Sequence, residues 1–428
     1  MNTLKNSLLS AAMILFPAMI VSSAIAQDMS VEVLHFNTSG SEAKSFYKYK
    51  SAFEAAGGKW IDSPVAGGGG DAHDTTLRAR VLAGDAPGAA LPKCPEAGRW
   101  YKEGYIADLD DVAVKEHWDD KLPDLLKNIA KVDGHYVCVP YDIHRIDWLW
   151  GNAAVLKAAG IEKMPETWAD FDNDAKKIAA AGKIVLAHGG QEWQDGTIFQ
   201  DVALSIGGPD YLRKLAAGDA AAIDSKTTRE VFDRMRILST YVDRGSPGRE
   251  WNLASAMVAK GDAAFQIMGD WAKGEFLQAG AKMGTDVLCA PVPGNVPNRP
   301  GFVMVSNAMG FFVKEKGNNK ASDGQKLLAA TLLKPDAEIA YTQIKGSVPS
   351  IMGVSPDLYD SCGQRSMADV QANNKAGTLV GDIYTMTMGS SPAVDAAIRQ
   401  VASQHFQSKS MTSDEAVKAM LDAVQLVQ

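Results

Sequence analysis

Residues 251–276, WNLASAMVAKGDAAFQIMGDWAKGEF, decide how the rest of the chain is read. Ala254, Met257 and Val258 recur at i, i+3 and i+4, so the segment opens as a helix with one apolar face. Residues 263–268 are an apolar run broken only by Gln266, which reads as a short strand. Gly269-Asp270-Trp271 then turns the chain into a second helix. A large aromatic and a carboxylate just past a strand end sit where α/β folds bind ligands. An indole covers the C–H face of a sugar, and a carboxylate accepts from its hydroxyls. A tryptophan that merely plugs the core at a helix start explains the same residues equally well.

The same rhythm extends outward. Residues 31–36 read as a first strand, and Ser41-Glu42 opens a helix carrying Phe46, Tyr49 and Phe53 on one side. Residues 67–71, GGGGD, form a mobile loop before a helix with Leu77, Val81 and Leu82, and residues 89–91 form a small strand. Strand, helix, strand, helix argues for a parallel sheet with crossover helices. Residues 136–150, YVCVPYDIHRIDWLW, form a long extended segment interrupted by Pro140. Residues 185–188 are a further strand, followed by a polar loop through Trp193, Gln194 and Asp195. Residues 302–305 are another, with Phe311-Phe312-Val313 as its hairpin partner or the next strand. Thr412 to Glu415 is a capping-box pattern opening a last helix, with Val417, Met420, Leu421 and Val424 as its apolar stripe.

The N-terminus carries Lys5, an apolar stretch over 8–21, and Ala24-Ile25-Ala26 as a cleavage site. Residues 1–26 therefore read as a secretory signal peptide. Nothing else reaches the ~18 apolar residues of a membrane span. Removing these residues moves the formal net charge from −8 to −9. Such an acidic chain with scattered charges is a poor partner for nucleic acid or an anionic membrane surface. At 428 residues, 46% hydrophobic and 22% charged, it is long enough for two or three cores. Export makes disulfides possible among Cys94, Cys138, Cys289 and Cys362. Cys138 lies in a strand-like run where a buried free thiol is equally plausible.

Several chemistries find no support. The glycine run lacks the Gly-Lys-Ser/Thr of a phosphate loop, and no G-x-S-x-G elbow exists. His73 and His144 have no HExxH-type partners and the cysteines no zinc spacing, so neither a metal nor any other cofactor is expected. A glycosidase needs two carboxylates ~5–10 Å apart, and 51 acidic residues make that signal empty. Tryptophans instead recur beside polar groups: Trp193 with Gln194 and Asp195, Trp251 with Asn252, Trp271 with Asp270. With His144-Arg145, they suit an aromatic-lined, hydrogen-bonding cleft for a small molecule.

Six blocks carry a resemblance over residues 30–425: VEVLH with TSGSEA, PVAGGGGDAHDTTLRARVLAGDAPG, DGHYVCVPYDIHRIDWLW, AHGGQEWQDGTIF, GREWNLASAMVAKGDAAFQIMGDWAKGEF and KGSVPS. The chain resembles the extracytoplasmic sugar-binding proteins of ABC importers, in the maltose-binding-like class, and is most similar to the glucose/mannose-binding type. The resemblance implies a two-lobed α/β fold with a hinge and the ligand in the interlobe cleft. It implies residues 27–140 plus about 300–360 in one lobe, and about 141–299 plus 361–428 in the other. It implies no catalysis, a periplasmic location, a monomer, and delivery of a sugar to membrane permease subunits backed by a cytoplasmic ATPase. The secreted carbohydrate-active enzyme, and the same fold binding a polyol, sugar acid or other solute, stand as alternatives. Implied ligand contacts are Glu42, Lys93, His144, Trp193, Asp195, Trp271 and Lys345, with Cys289 and Cys362 at the positions of a family disulfide.

The departures bear on specificity. Where glucose-binding relatives carry His-Trp-Trp-Thr-Ser-Gly, this chain has His35-Phe36-Asn37-Thr38-Ser39-Gly40, so Asn37 offers an amide in place of an indole. Asn307 stands where those relatives have a carboxylate, and a family histidine falls in the altered stretch 382–386. An amide both donates and accepts, whereas a carboxylate only accepts. The chain is therefore expected to bind a sugar other than glucose. Calorimetric titration with D-glucose should give no sub-micromolar binding; a sub-micromolar isotherm would contradict that expectation.

Overall fold

A computed structural model describes residues 29–66, 70–385 and 391–428. The expected signal peptide, residues 67–69 of the glycine run and Met386 lie outside the described residues.

Two sheets organise the chain. The first has five strands in the order Lys59–Pro64, Ser30–His35, Ala89–Ala90, Ala308–Phe311, Val139–Pro140. Its first three strands are parallel, as the strand–helix rhythm predicts, and Ala308–Phe311 runs antiparallel to its neighbours on both sides. The second sheet runs Val287–Pro291, Trp148–Asn152, Ala263–Ile267, Ile184–Leu186. Helices cover both sheets, giving a two-lobed α/β architecture. On the first lobe, the helix Gly40–Ala55 is capped by the Ser39 side chain, which accepts from the Glu42 backbone N–H. It buries Phe46, Tyr49 and Phe53, and packs along the helix Pro335–Lys345. On the second, the long helix Glu192–Ala216 packs against Pro392–Gln407 and Lys226–Thr240. The last helix, Ser413–Val427, has the expected Thr412/Glu415 capping box and buries Val417, Met420 and Val424.

Between the sheets lies a three-stranded ribbon of Leu379–Gly381, Phe302–Val305 and His144–Arg145. This sharpens two readings of the sequence. The extended segment 136–150 is broken beyond its interruption at Pro140. It falls into short pieces because the chain leaves the first sheet at Pro140, crosses the ribbon at His144, and enters the second sheet at Trp148. Of the two readings offered after Phe302–Val305, the next strand holds and the hairpin partner does not: that strand is Ala308–Phe311, in the first sheet. The chain passes from ribbon to first sheet between them, through Ser306-Asn307. A third pass follows the helix Pro335–Lys345, where Val348 and Ile143 exchange backbone hydrogen bonds of 2.8 and 2.9 Å. Gly346 opens it at φ 102°, and a Cβ there would meet the Asp270 carbonyl oxygen at 2.2 Å, so only glycine lets the two backbones approach.

Two disulfides staple the lobes internally. Cys289 pairs with Cys362, tying the edge of the second sheet to the helix Ser361–Ala376. Cys94 pairs with Cys138, which resolves in favour of a bond the alternative of a buried thiol. The first closes a separation of 73 residues. A Cys289→Ala/Cys362→Ala variant should lose roughly 4 kcal/mol of stability by the loop-entropy relation. Urea unfolding of the variant beside the parent, both unreduced, measures it; unchanged midpoints would count against the staple.

Candidate functional site

The first two passes form the floor of a cavity of about 120 Å³ between the lobes, with His144 and Ile146 from one and Val305 and Asn307 from the other. From the first lobe come Phe36 at the end of the Ser30–His35 strand, Glu42 in the first helical turn, Lys93 after the Ala89–Ala90 strand, and Lys345. The crossing segments contribute His144 and Asn307. The second lobe contributes Trp193, Trp251 and Trp271. Seven of the nine residues expected at the site therefore converge: Glu42, Lys93, His144, Trp193, Trp271, Asn307 and Lys345.

Two do not line it. Asp195 is fully buried in the first turn of the helix Glu192–Ala216, not in a loop. Its carboxylate accepts from His188 at 2.8 Å, Ser403 at 2.7 Å and Gln407 at 2.7 Å, so it fastens that helix to its neighbours. Asn37 is also buried, with neither amide atom hydrogen-bonded, and lies behind Phe36 in sequence rather than on the wall.

Trp271 sits at the head of the short helix Ala272–Gln278, where the strand–turn–helix pattern puts it. It is partly buried, packs edge-on against the His144 ring at 5.5 Å, and lies 6.4 Å from Trp193. Trp193 is oriented by Gln191, whose side-chain oxygen accepts from the indole N–H at 3.0 Å. The two indoles make an angled apolar wall.

His144 is the electrostatic centre. Its Nε2 is 2.9 Å from the Asp142 carboxylate, and its Nδ1 is hydrogen-bonded to Asp270. Burial pushes the imidazole pKa down, but the two carboxylates outweigh it and raise the value to about 9. Burial opposes ionisation of both acids as well. His144 prevails at Asp142, which is held low, whereas burial prevails at Asp270, which rises. Both ring nitrogens are thus committed, and His144 offers the cavity a charge and a ring edge. Asp142 also accepts from the Tyr341 hydroxyl at 2.9 Å and from the Asn307 amide at 2.9 Å. The Asn307 side-chain oxygen in turn accepts from the Lys93 ammonium at 2.7 Å. Lys345 pairs with Glu42 at 2.5 Å.

The sequence reading missed the outer wall. Asp382, Tyr384 and Thr385 follow the ribbon strand Leu379–Gly381, and Arg399 reaches in from the helix Pro392–Gln407. Asp382 accepts from the Gln200 amide at 2.8 Å and from Thr385, and burial raises its pKa. The altered stretch at 382–386 was the one signal pointing there. Arg399 bridges the lobes by pairing with Asp71 at 3.4 Å and Glu192 at 3.1 Å. Beyond it the cleft continues into a second hollow of about 190 Å³ that shares Phe36, Lys93 and Tyr384. Among the described residues no group of three or more His, Cys, Asp or Glu could hold a metal ion.

Comparisons with known proteins bear on the family and the fold. The family model described as bacterial extracellular solute-binding protein matches residues 37–338. A "Probable sugar-binding periplasmic protein" of Brucella suis biovar 1 is 41% identical over 400 residues, covering 93% of each chain. One of the same name from Rhizobium meliloti is 40% identical over 409 residues, covering 95% of this chain and 96% of its own. Among solved structures, a chitin oligosaccharide binding protein superposes with a TM-score of 0.76 at 18% identity, covering 93% of this chain and 98% of its own. Maltose-bound MalE3 of T. maritima gives 0.70 at 18%, covering 93% and 100%. At that identity the last two speak for the fold alone.

The folded-state pKa of His144 lies above its ordinary 6.5. Its contribution to stability is therefore complete below about pH 6.5 and lost as pH rises through about 9. His144→Gln should cost ~3 kcal/mol at pH 6 by stranding two buried carboxylates. The gap in melting temperature from the parent should then narrow toward pH 9.5. A gap that stays constant with pH would mean that His144 is neutral in the folded protein.

Proposed function

We infer that this chain, which belongs to the bacterial extracellular solute-binding protein family, is the sugar-binding periplasmic component of an ABC importer. It captures a sugar in the interlobe cleft and delivers it to a membrane permease. The observation that carries this reading is the composition of the cavity wall. Indoles from one lobe face ammonium and carboxylate groups from the other, across a floor made of the crossing segments. A ligand there touches both lobes only when they are closed, so it selects the closed state, and that state is what a permease recognises.

Within this reading, Trp271 and Trp193 cover the sugar ring. Glu42, Lys93, Lys345 and Asn307 exchange hydrogen bonds with its hydroxyls from the first lobe. Asp195 and Asn37 act from behind, Asp195 by anchoring the helix that bears Trp193. The lobes divide near residues 140 and 300, with residues 346–360 returning the chain to the second lobe. The protein works as a monomer, with permease subunits and their ATPase as partners.

Export to the periplasm is supported by the two disulfides and by the relatives' names. A binding role rather than hydrolysis is supported by the state of the wall carboxylates: Glu42 is ion-paired, and Asp382 is tied up by Gln200 and Thr385. Neither is positioned as a free acid opposite a free base.

A thermal-shift screen of monosaccharides, polyols and short oligosaccharides should find a stabilising ligand, and an oligosaccharide panel should stay unhydrolysed. Trp271→Ala should melt near the parent and lose ~1.5–3 kcal/mol of ligand binding by calorimetry. A sharply lower melting point with affinity retained would make Trp271 a core residue and move the site elsewhere.

A further inference from the structure

Each cationic side chain on the cavity wall has a carboxylate ion-pair partner, with one exception. Four cationic side chains line it: Lys93, His144, Lys345 and Arg399. Lys345 is paired with Glu42, His144 with Asp142 and Asp270, and Arg399 with Asp71 and Glu192. Lys93 has no such partner. Its ammonium donates to the neutral side-chain oxygen of Asn307 at 2.7 Å, and no carboxylate among the described residues forms an ion pair with it. Asn307 is held in that orientation because its amide nitrogen donates to Asp142 at 2.9 Å and its backbone N–H to the same carboxylate at 2.7 Å. Asp382, the wall carboxyl other than Glu42, spends its oxygens on Gln200 and Thr385. Asp142, Asp382 and Asp74 act on Lys93 only through space, against a burial that disfavours its charge.

An ammonium has three protons, and this one has used one. A half-buried cation that faces a cavity without an ion-pair partner of its own gains one when a ligand supplies the counter-charge. A neutral sugar would give it hydroxyl acceptors but leave the charge unmatched. We propose that the ligand is an anionic sugar, a uronate or aldonate, whose carboxylate sits on the Lys93 ammonium while Trp271 and Trp193 cover its carbon face. This rests on the reading of the cavity as a sugar site. Asn307 is then a specificity-determining residue, since a carboxylate at its position would neutralise Lys93 and repel the ligand's own.

The test is calorimetry of the purified protein with D-glucuronate, D-galacturonate, D-mannuronate and D-gluconate, each beside its parent neutral hexose. At least one acid should bind about tenfold or more tightly than its parent, as a charge-assisted hydrogen bond implies, with affinity falling as salt is raised. Asn307→Asp should reverse that preference, and Lys93→Met should abolish it, with melting curves checked for both. If a neutral hexose binds as tightly as its acid, or Asn307→Asp leaves the ratio unchanged, the charge inference fails while the sugar reading stands. If none of the acids, hexoses or oligosaccharides binds, the sugar reading itself fails and takes this inference with it.

Discussion

His144 keeps its charge in the interior because Asp142 stands on one side of its ring and Asp270 on the other. Asp142 belongs to the first crossing, and Asp270 to the turn that launches Trp271. The same two carboxylates hold Asn307, Tyr341 and the backbone N–H of Arg145. One buried imidazolium thereby fixes two crossing segments, a first-lobe helix and the second lobe's indole relative to one another. Removing one partner of such a set costs more than the set contributes over an apolar filling, so what it supplies is geometry as much as stability.

A second buried charge cluster lies one step further into the crossing. The Arg145 guanidinium pairs with Asp147 at 3.2 Å and Asp369 at 2.6 Å, and lies against Trp148 and Phe302. Asp147 also pairs with Arg299 at 2.8 Å and accepts from the backbone N–H of Val303. The ribbon's central strand and its His144–Arg145 edge strand are thus both held by the Asp147 carboxylate. On the first-lobe side, Tyr141 and Asn307 are joined by a backbone bond of 3.0 Å.

What the sequence disclosed follows from how local each signal is. The Thr412/Glu415 box and the turn at Gly269-Asp270-Trp271 are specified within a few residues, and they stand where read, while the first helix opens at Gly40 under a Ser39 cap, one residue ahead of the Ser41-Glu42 start. The path of residues 136–150 was not legible, because a period-two pattern cannot say that successive pieces belong to different sheets. Asp195 was misplaced for a related reason. A carboxylate beside a tryptophan looks like a ligand contact until the partners that consume it, Ser403 and Gln407, arrive from more than two hundred residues away. Arg399 carries no local motif, and only the packing of the late helix Pro392–Gln407 brings it to the cleft, while Asp382 arrives from the end of the ribbon strand Leu379–Gly381.

The bond between Cys289 and Cys362 bears on movement as well as on folding. Residues 346–361 leave the first lobe just after Lys345, which is tied to Glu42, and reach the second lobe at a covalent anchor. A strand of chain fixed at both ends behaves as a tether with limited slack. The distance by which Lys345 and Cys362 can part is bounded by the contour length of that segment.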